Sequence, residues 1–143
     1  MKLVKMEVYP EIGRGERYSE IILVSKDMAL PIYISHGQAE SIINGMQGIR
    51  FHRPLTHDLF IQVINSLGGD IKKVVIDDLA EGIFLAKLYI EYMRDGEIKE
   101  VMLDARPSDC IALAVREGCD IYVSEKVLQE AGKSKEEMGI KSF

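Results

Sequence analysis

Three aspartates have the side chains best suited to chemistry in this sequence. Asp58, Asp104 and Asp109 each lie where the local pattern changes from one kind of secondary structure to another. Carboxylate oxygens are the ligands that Mg²⁺ or Mn²⁺ prefers, and such an ion would stabilise charge on a phosphate and activate water. We therefore predict that the three aspartates are catalytic and bind the metal. The alternative is structural: Asp58 and Asp109 would each stabilise a helix N-terminus by about 0.3–1 kcal/mol, and Asp104 would pair with Arg106.

The residues beside the aspartates could supply proton transfer and phosphate contacts. His57 could act as a general base or bind a metal through a ring nitrogen, although it could equally be only exposed or hydrogen-bonded. Arg53 and Arg106 could clamp a phosphate through parallel hydrogen bonds, or each could instead pair with a buried or partner-chain carboxylate. Thr56 and Ser108 add hydroxyl groups. We assign His57 to catalysis and the two arginines, Thr56 and Ser108 to substrate binding.

Two Arg-Pro segments must position these side chains. Pro107 presets the backbone for a first helical turn, and the apolar residues after it predict a buried core helix. In the earlier segment, Thr56 is the predicted N-cap of a helix whose first turn holds His57 and Asp58. Leu59, Phe60, Val63, Ile64 and Leu67 have the spacing of one apolar helical face. Because the free N–H groups of helix N-termini attract polar partners, we expect the two helix starts to form one polar cluster.

The rest of the chain predicts an α+β fold with a mostly antiparallel (mixed) sheet and helices packed on it. Pro31 cannot donate to a ladder, so its strand should lie at an edge or carry a bulge. Asp95-Gly96 is a hairpin signal between two of three successive strands. Ser35 with Gln38, and Ser134 with Glu137, have the spacing of capping boxes. We predict a single domain over 1–143 with a helical C-terminal segment at 125–143.

Three motifs resemble the bifunctional nuclease domain family. They are Arg-Pro-Leu-Thr-His-Asp-Leu at 53–59, Asp-Ala-Arg-Pro-Ser-Asp-Cys-Ile-Ala-Leu-Ala at 104–114 and Ile-Tyr-Val-Ser-Glu at 121–125. The resemblance covers roughly 28–127. It implies a compact α+β domain that often self-associates, in a family to some members of which RNase and DNase activity has been attributed. Many relatives have Ile-Gly-x-x-Glu-Ala where this chain has Ile-Ser-His-Gly-Gln-Ala at 34–39, so the neutral Gln38 replaces an acid.

The composition limits the class of protein and its compartment. The chain has 143 residues, enough for one domain with a proper core. Its net charge of −5 argues against a tight, nonspecific nucleic-acid binder, but not against an enzyme that holds nucleic acid weakly. The two cysteines match no zinc or redox spacing. No stretch resembles a signal peptide or a membrane span, so we expect a cytoplasmic protein without a membrane partner.

Two classes of function remain open. The first is a nuclease, a phosphodiesterase that acts on RNA or DNA with the help of a divalent metal, supported by the resemblance and by the clustered acids. The second is a noncatalytic small-molecule- or protein-binding module in which the Arg-Pro corners are architectural. The negative net charge and the neutral Gln38 favour the second. In both cases the resemblance implies a homodimer or a higher homo-oligomer.

Overall fold

A computed structural model of the protein describes residues 1–140, and their strands form one nine-stranded sheet. The strands are β1 (Leu3–Val8), β2 (Gly13–Arg14), β3 (Ser19–Val24), β4 (Met28–Ile34), β5 (Gly69–Ala80), β6 (Ile83–Arg94), β7 (Glu97–Ala105), β8 (Asp120–Ser124) and β9 (Lys133–Ser134). The helices are α1 (His36–Gln47), α2 (Thr56–Ser66), α3 (Pro107–Glu117) and α4 (Glu125–Ala131). The sheet order is β7-β6-β5-β8-β1-β3-β4-β9, with β2 paired to β3.

All strand pairs in this sheet are antiparallel except β5 with β8. The predicted α+β class with a mixed, mostly antiparallel sheet is therefore confirmed. The predicted meander is present as β5, β6 and β7. Asp95 and Gly96 both adopt positive φ between β6 and β7, which is the geometry that tight hairpin turns require.

Helix α3 is the core helix, as the sequence predicted. Six of its residues are buried, and Ile111 and Cys110 are fully inaccessible to solvent. A methyl group at Gly45 of α1 would lie 2.7 Å from Cγ2 of Val115. The absence of a side chain at Gly45 therefore lets α1 approach α3 closely, and this approach brings polar residues of the two helices within hydrogen-bond distance.

The strand that holds Pro31 forms the edge of the sheet beyond Ala29, as predicted, although Pro31 itself is buried. Strand β4 pairs along its length with β3, whereas β9 covers only Met28 and Ala29 on its other side. No partner strand therefore needs an N–H group from Pro31. Within residues 1–140 no helix is long and apolar enough to cross a membrane.

The predicted start of α2 needs a correction. Leu55, not Thr56, is the N-cap, and Thr56 is the first helical residue. The cap still works because the carboxylate of Asp58 accepts a hydrogen bond from the backbone N–H of Leu55 at 3.2 Å. An acid at the third helical position can therefore cap the backbone without a hydroxyl at the N-cap.

The predicted apolar face of α2 is only partly correct. Phe60 and Ile64 pack against the core, but the helix has no fully buried residue. The other three residues of the predicted face, Leu59, Val63 and the C-cap Leu67, are 51%, 48% and 76% exposed. Their spacing of four residues places them in one stripe on the outer side of the helix.

The predicted helical segment at 125–143 is wrong beyond α4. The helix ends at Ala131 because Gly132 is extended, and the two-residue strand β9 follows. Ser134 and Glu137 do form the reciprocal hydrogen bonds of a capping box, but they close a turn, and no helix follows as far as residue 140. The part of the prediction on 141–143 lies outside the described residues.

Candidate functional site

The second Arg-Pro segment forms a corner between β7 and α3. Arg106 is the N-cap of α3, and Pro107 is its first residue. Nε of Arg106 donates a hydrogen bond to Oδ2 of Asp109 at 2.8 Å. The corner therefore presents a carboxylate and a guanidinium side by side, and 68% of the arginine side chain is exposed.

The first Arg-Pro segment meets this corner through His57. Nε2 of His57 lies 2.9 Å from Oδ1 of Asp109, and Nδ1 lies 2.7 Å from the hydroxyl of Ser41 in α1. The imidazole is therefore held on both sides, by residues from two other helices. Only 19% of its side chain is exposed.

Arg116, in the last turn of α3, extends this set of contacts. Its Nη2 donates to Ser41 Oγ at 3.3 Å, and its Nε donates to Oδ1 of Asp58 at 2.9 Å. Its Nη1 donates to the carbonyl of Ala112 at 2.9 Å. Six side chains thus form one continuous chain of hydrogen bonds, which we call the polar array: Asp58, Arg116, Ser41, His57, Asp109 and Arg106.

The electrostatics of the polar array keep Asp109 ionised. Burial alone would raise the pKa of Asp109, but hydrogen bonds from Arg106 and His57 outweigh it and hold that pKa below its usual range. The same carboxylate raises the pKa of Arg106. Because an ionised carboxylate can only accept hydrogen bonds, Nε2 of His57 must carry the proton between the two groups.

The hydrogen-bond partners then determine the direction of every bond around His57. With its proton on Nε2, a neutral His57 has an unprotonated Nδ1, so the hydroxyl of Ser41 donates to it. A hydroxyl, a base and a carboxylate that orients the base are thus in sequence, the arrangement that activates hydroxyl nucleophiles and water in hydrolases. The polar array can therefore take a proton at Nδ1 and stabilise the resulting imidazolium with Asp109.

Asp104 lies outside the polar array. Its carboxylate is 82% exposed and contacts Nζ of Lys87 at 3.5 Å, not Arg106 as the structural alternative proposed. Lys87 also contacts Asp77 at 3.4 Å, and the other carboxylate oxygen of Asp77 is buried without a hydrogen-bond partner. Attraction by these two acids outweighs the effect of burial and raises the pKa of Lys87.

The three aspartates do not form a preformed metal site. Each carboxylate already has a partner. Asp58 is paired with Arg116 and Asp104 with Lys87, and Asp109 accepts hydrogen bonds from Arg106 and His57. In the described part of the chain, no three His, Cys, Asp or Glu side chains are grouped so that they could hold a metal ion. The predicted Mg²⁺ or Mn²⁺ stays a prediction.

The other predicted site residues lie around the polar array. Thr56 lines a shallow depression with His57 and Ser41. Ser108 is nearly buried and lines a second cleft together with Asp104 and Arg106. Arg53 is exposed. Of the eight residues expected to form one cluster, His57, Asp58, Arg106 and Asp109 are joined by hydrogen bonds, and the other four are not part of that network.

Sequence reasoning missed Ser41 and Arg116, although each has a detectable signal. Arg116 follows Asp109 by seven residues, two helical turns, and therefore lies on the same side of an otherwise apolar helix. Ser41 lies one helical turn before Gly45, the residue at which α1 approaches α3 most closely. Charged or hydroxyl residues on such packed faces are candidates for buried networks.

Gln38 and the cysteines have structural roles that fit the contacts observed. Oε1 of Gln38 accepts a hydrogen bond from the N–H of Ser35 at 2.9 Å and completes the predicted capping box. Glutamate makes the same bond at this position, so the neutral side chain preserves the cap of α1.

Burial raises the pKa of Cys110 to about 12 and that of Cys119 to about 11, which keeps both as thiols.

Several known proteins are similar in sequence to this chain. A sequence model of the Bifunctional nuclease domain matches residues 21–136. An uncharacterized protein of Mycobacterium tuberculosis is 43% identical over 106 residues, which cover 74% of this chain and 60% of that protein.

Two plant proteins are more distant relatives. Bifunctional nuclease 1 of Oryza sativa subsp. indica is 24% identical over 106 residues, 74% of this chain and 32% of that protein. Bifunctional nuclease 2 of Arabidopsis thaliana is 25% identical over 118 residues, 80% of this chain and 36% of that protein. The chain therefore spans less than two thirds of the length of each of these relatives. Since the family model covers well over half of the chain, the chain belongs to the bifunctional nuclease domain family.

Proposed function

We propose that the protein is a nuclease that hydrolyses phosphodiester bonds of RNA or DNA at the polar array. The observation that carries the proposal is the contact of His57 with Asp109 at 2.9 Å. This contact joins the two Arg-Pro motifs by which the chain resembles its family, and both residues lie inside the matched range of 21–136. The names of the plant relatives support nuclease chemistry for that family.

His57 is the proton-transfer group in this proposal. Its unprotonated Nδ1 takes the proton of Ser41, and the serine hydroxyl takes a proton from a water molecule that attacks the phosphorus. The new P–O bond forms as the bond to the leaving oxygen breaks. The imidazolium then returns its proton through the Ser41 hydroxyl to the leaving oxygen, so that His57 is neutral again. Asp109 stabilises the imidazolium between these steps, as carboxylates do beside catalytic histidines.

Arg106 supplies the positive charge that the phosphate needs. Its Nε is held by Asp109, and no other contact occupies its terminal nitrogens within residues 1–140. These nitrogens can donate two parallel hydrogen bonds to phosphate oxygens. Arg53 and Thr56 are assigned to more distant phosphates because both are exposed beside His57 in the chain. Ser108 completes the set of substrate-binding residues.

The proposal is tested by incubating purified protein with labelled single-stranded RNA and DNA in Mg²⁺, Mn²⁺ or EDTA. We expect wild-type protein to cleave at least one substrate and His57→Gln to lose that cleavage. Asp78→Asn is the matched control, because Asp78 also forms a charged hydrogen bond, at 2.8 Å to Lys126, outside the polar array. Equal cleavage by wild type and His57→Gln would overturn the proposal. Loss of cleavage in EDTA would support the predicted metal.

A noncatalytic binding module is the second candidate. The observation in its favour is that each of the three predicted catalytic aspartates already has a basic partner. In that case the polar array would only hold α1, α2 and α3 together. Wild-type protein without turnover under any metal condition, but with a partner retained by purified folded protein, would support this function.

We also propose that the protein is a homodimer that functions in the cytoplasm. The exposed stripe of Leu59, Val63 and Leu67 supports self-association, because contiguous exposed apolar patches usually mark interaction surfaces. A stripe with a four-residue spacing suits packing against the same helix of a second copy. The oligomeric state and the location both stay predictions.

A further inference from the structure

A cleft next to the polar array has the lining of a ligand site. It has a volume of about 580 Å³, within the range of about 300–1,000 Å³ that small-molecule sites occupy. Its walls come from β4, from the start of β6 and from the corner between β7 and α3. The lining residues that matter below are Tyr33, Gln38, Phe84, Arg106 and Ser108.

One end of the cleft is suited to an anion. It lies at the N-terminus of α3, where backbone N–H groups have no acceptor within the helix. Ser108 is only 4% exposed, and its hydroxyl has no hydrogen bond in the described part of the chain. Asp77 Oδ1 is the only polar side-chain atom of residues 1–140 that is buried without a partner, so solvent reaches the Ser108 hydroxyl, which is free to donate to an oxygen of an anion. Arg106 adds a guanidinium whose Nε alone is engaged.

The other end of the cleft is suited to a flat apolar group. Tyr33 is 65% exposed, and the half-buried Phe84 lines the same cleft. Tyr33 lies directly across from Glu20 in the pairing of β3 with β4, and interaction with this carboxylate raises the pKa of the tyrosine. Exposed aromatic rings are platforms on which unpaired bases stack.

We propose that this cleft binds one unpaired nucleotide of a single-stranded nucleic acid, with the base against Tyr33 and Phe84 and the phosphate at Arg106 and Ser108. The choice of nucleic acid rests on the function proposed above. Arg106 belongs both to the cleft and to the polar array, so a strand held here has its next phosphate close to His57. A base in a duplex is already stacked on both sides and cannot enter, which makes single strands the preferred substrate.

The test uses His57→Gln protein as the background, so that binding is measured without cleavage. The probe is a thymidine pentamer with 2-aminopurine at one position, followed by fluorescence quenching and anisotropy. We expect quenching on binding to the background protein. Adding Tyr33→Ala should weaken binding about 5- to 150-fold, the range reported for loss of one stacked base. Phe84→Ala should act in the same direction, and Ser108→Ala should weaken binding of the pentamer and of thymidine monophosphate.

Tyr92→Ala is the matched control, because Tyr92 is an aromatic residue near the opposite end of β6 from Phe84. Circular dichroism melts check that each variant is folded, and Tyr33→Ala decides the outcome alone if Phe84→Ala does not fold. Unchanged affinity in Tyr33→Ala, or duplex bound as tightly as single strand, would overturn the inference. Binding that depends on Tyr33 in a protein without nuclease activity would refute the proposed catalysis and leave the cleft assignment intact.

Discussion

Oδ1 of Asp109 accepts a hydrogen bond from Nε2 of His57 at 2.9 Å, although the two residues are 52 positions apart in the chain. His57 and Asp109 lie in the first turns of α2 and α3, so the contact joins the N-termini of these two helices. The carboxylate partner places a proton on Nε2 of the imidazole and makes His57 the residue on which the proposed chemistry depends.

Replacing Asp109 with Asn should lower the rate of cleavage by about 100- to 10,000-fold, the usual contribution of an oriented acid–base group. An asparagine amide can donate to His57 and favour the wrong tautomer. The rate is measured with a labelled single strand at pH 7. Asp78→Asn, a paired aspartate on β5, should keep the wild-type rate, and an equal loss in both variants would contradict a specific role for Asp109.

Replacing Arg116 with Ala should lower the free energy of unfolding by about 2–3 kcal/mol. Only 7% of the Arg116 side chain is exposed. Its loss removes the hydrogen bonds that Oδ1 of Asp58 and Oγ of Ser41 accept from the guanidinium. The cost stays below the 3–5 kcal/mol or so of a fully buried pair because Asp58 is 37% exposed. Urea unfolding measures it. Lys126→Ala, which removes an exposed ion pair with Asp78, is the control and should leave the urea midpoint nearly unchanged.

The ionised state of Asp109 should make stability depend on pH. Its pKa in the folded protein lies below 3.8, the ordinary value for an aspartate. Its stabilising effect is therefore fully present above that value and is lost as the pH falls through the depressed pKa. Wild-type protein should be more stable than Asp109→Asn at pH 7, and the gap should close below about pH 4. Urea unfolding from pH 7 to pH 3 tests this, and a gap that does not change with pH would contradict it.

Replacing Ile111 with Ala should lower the free energy of unfolding by about 2–5 kcal/mol. The side chain is fully buried in α3 and belongs to the main hydrophobic core. Ile98→Ala is the matched control, because Ile98 is 66% exposed on β7 and should change stability by about 0.5 kcal/mol or less. Thermal and urea unfolding of both variants measure the difference, and an unchanged midpoint for Ile111→Ala would refute the assignment.

Light scattering at micromolar concentration should show a particle of twice the 16.1 kDa chain mass. Val63→Lys should convert it to the monomer, because a charge in the middle of the stripe on α2 would be desolvated in a helix–helix contact. Ile98→Lys, on the exposed strand β7, is the control and should remain dimeric. Wild-type protein of monomer mass would contradict the proposed dimer. If Val63→Lys is still dimeric, the interface does not lie on the α2 stripe.

The sequence by itself determined the parts of this protein that depend on near neighbours. Pro107 begins α3, Ser35 and Gln38 cap α1, and Asp95-Gly96 turns one hairpin, each because the physical cause lies within about four residues. The hydrogen bond of Arg106 to Asp109 spans three residues and is local in the same way.

The tertiary structure decided which distant residues meet. Arg116 reaches Ser41 across 75 positions and Asp58 across 58, whereas Asp104 turns to Lys87 on the neighbouring strand. Secondary-structure spacing fixes the face on which a side chain lies, but not which element packs against that face. The close approach of α1 to α3 at Gly45 lets Arg116 meet Ser41. The packing of α2 beside α3 joins His57 to Asp109, and the pairing of β6 with β7 places Asp104 opposite Lys87, outside the polar array.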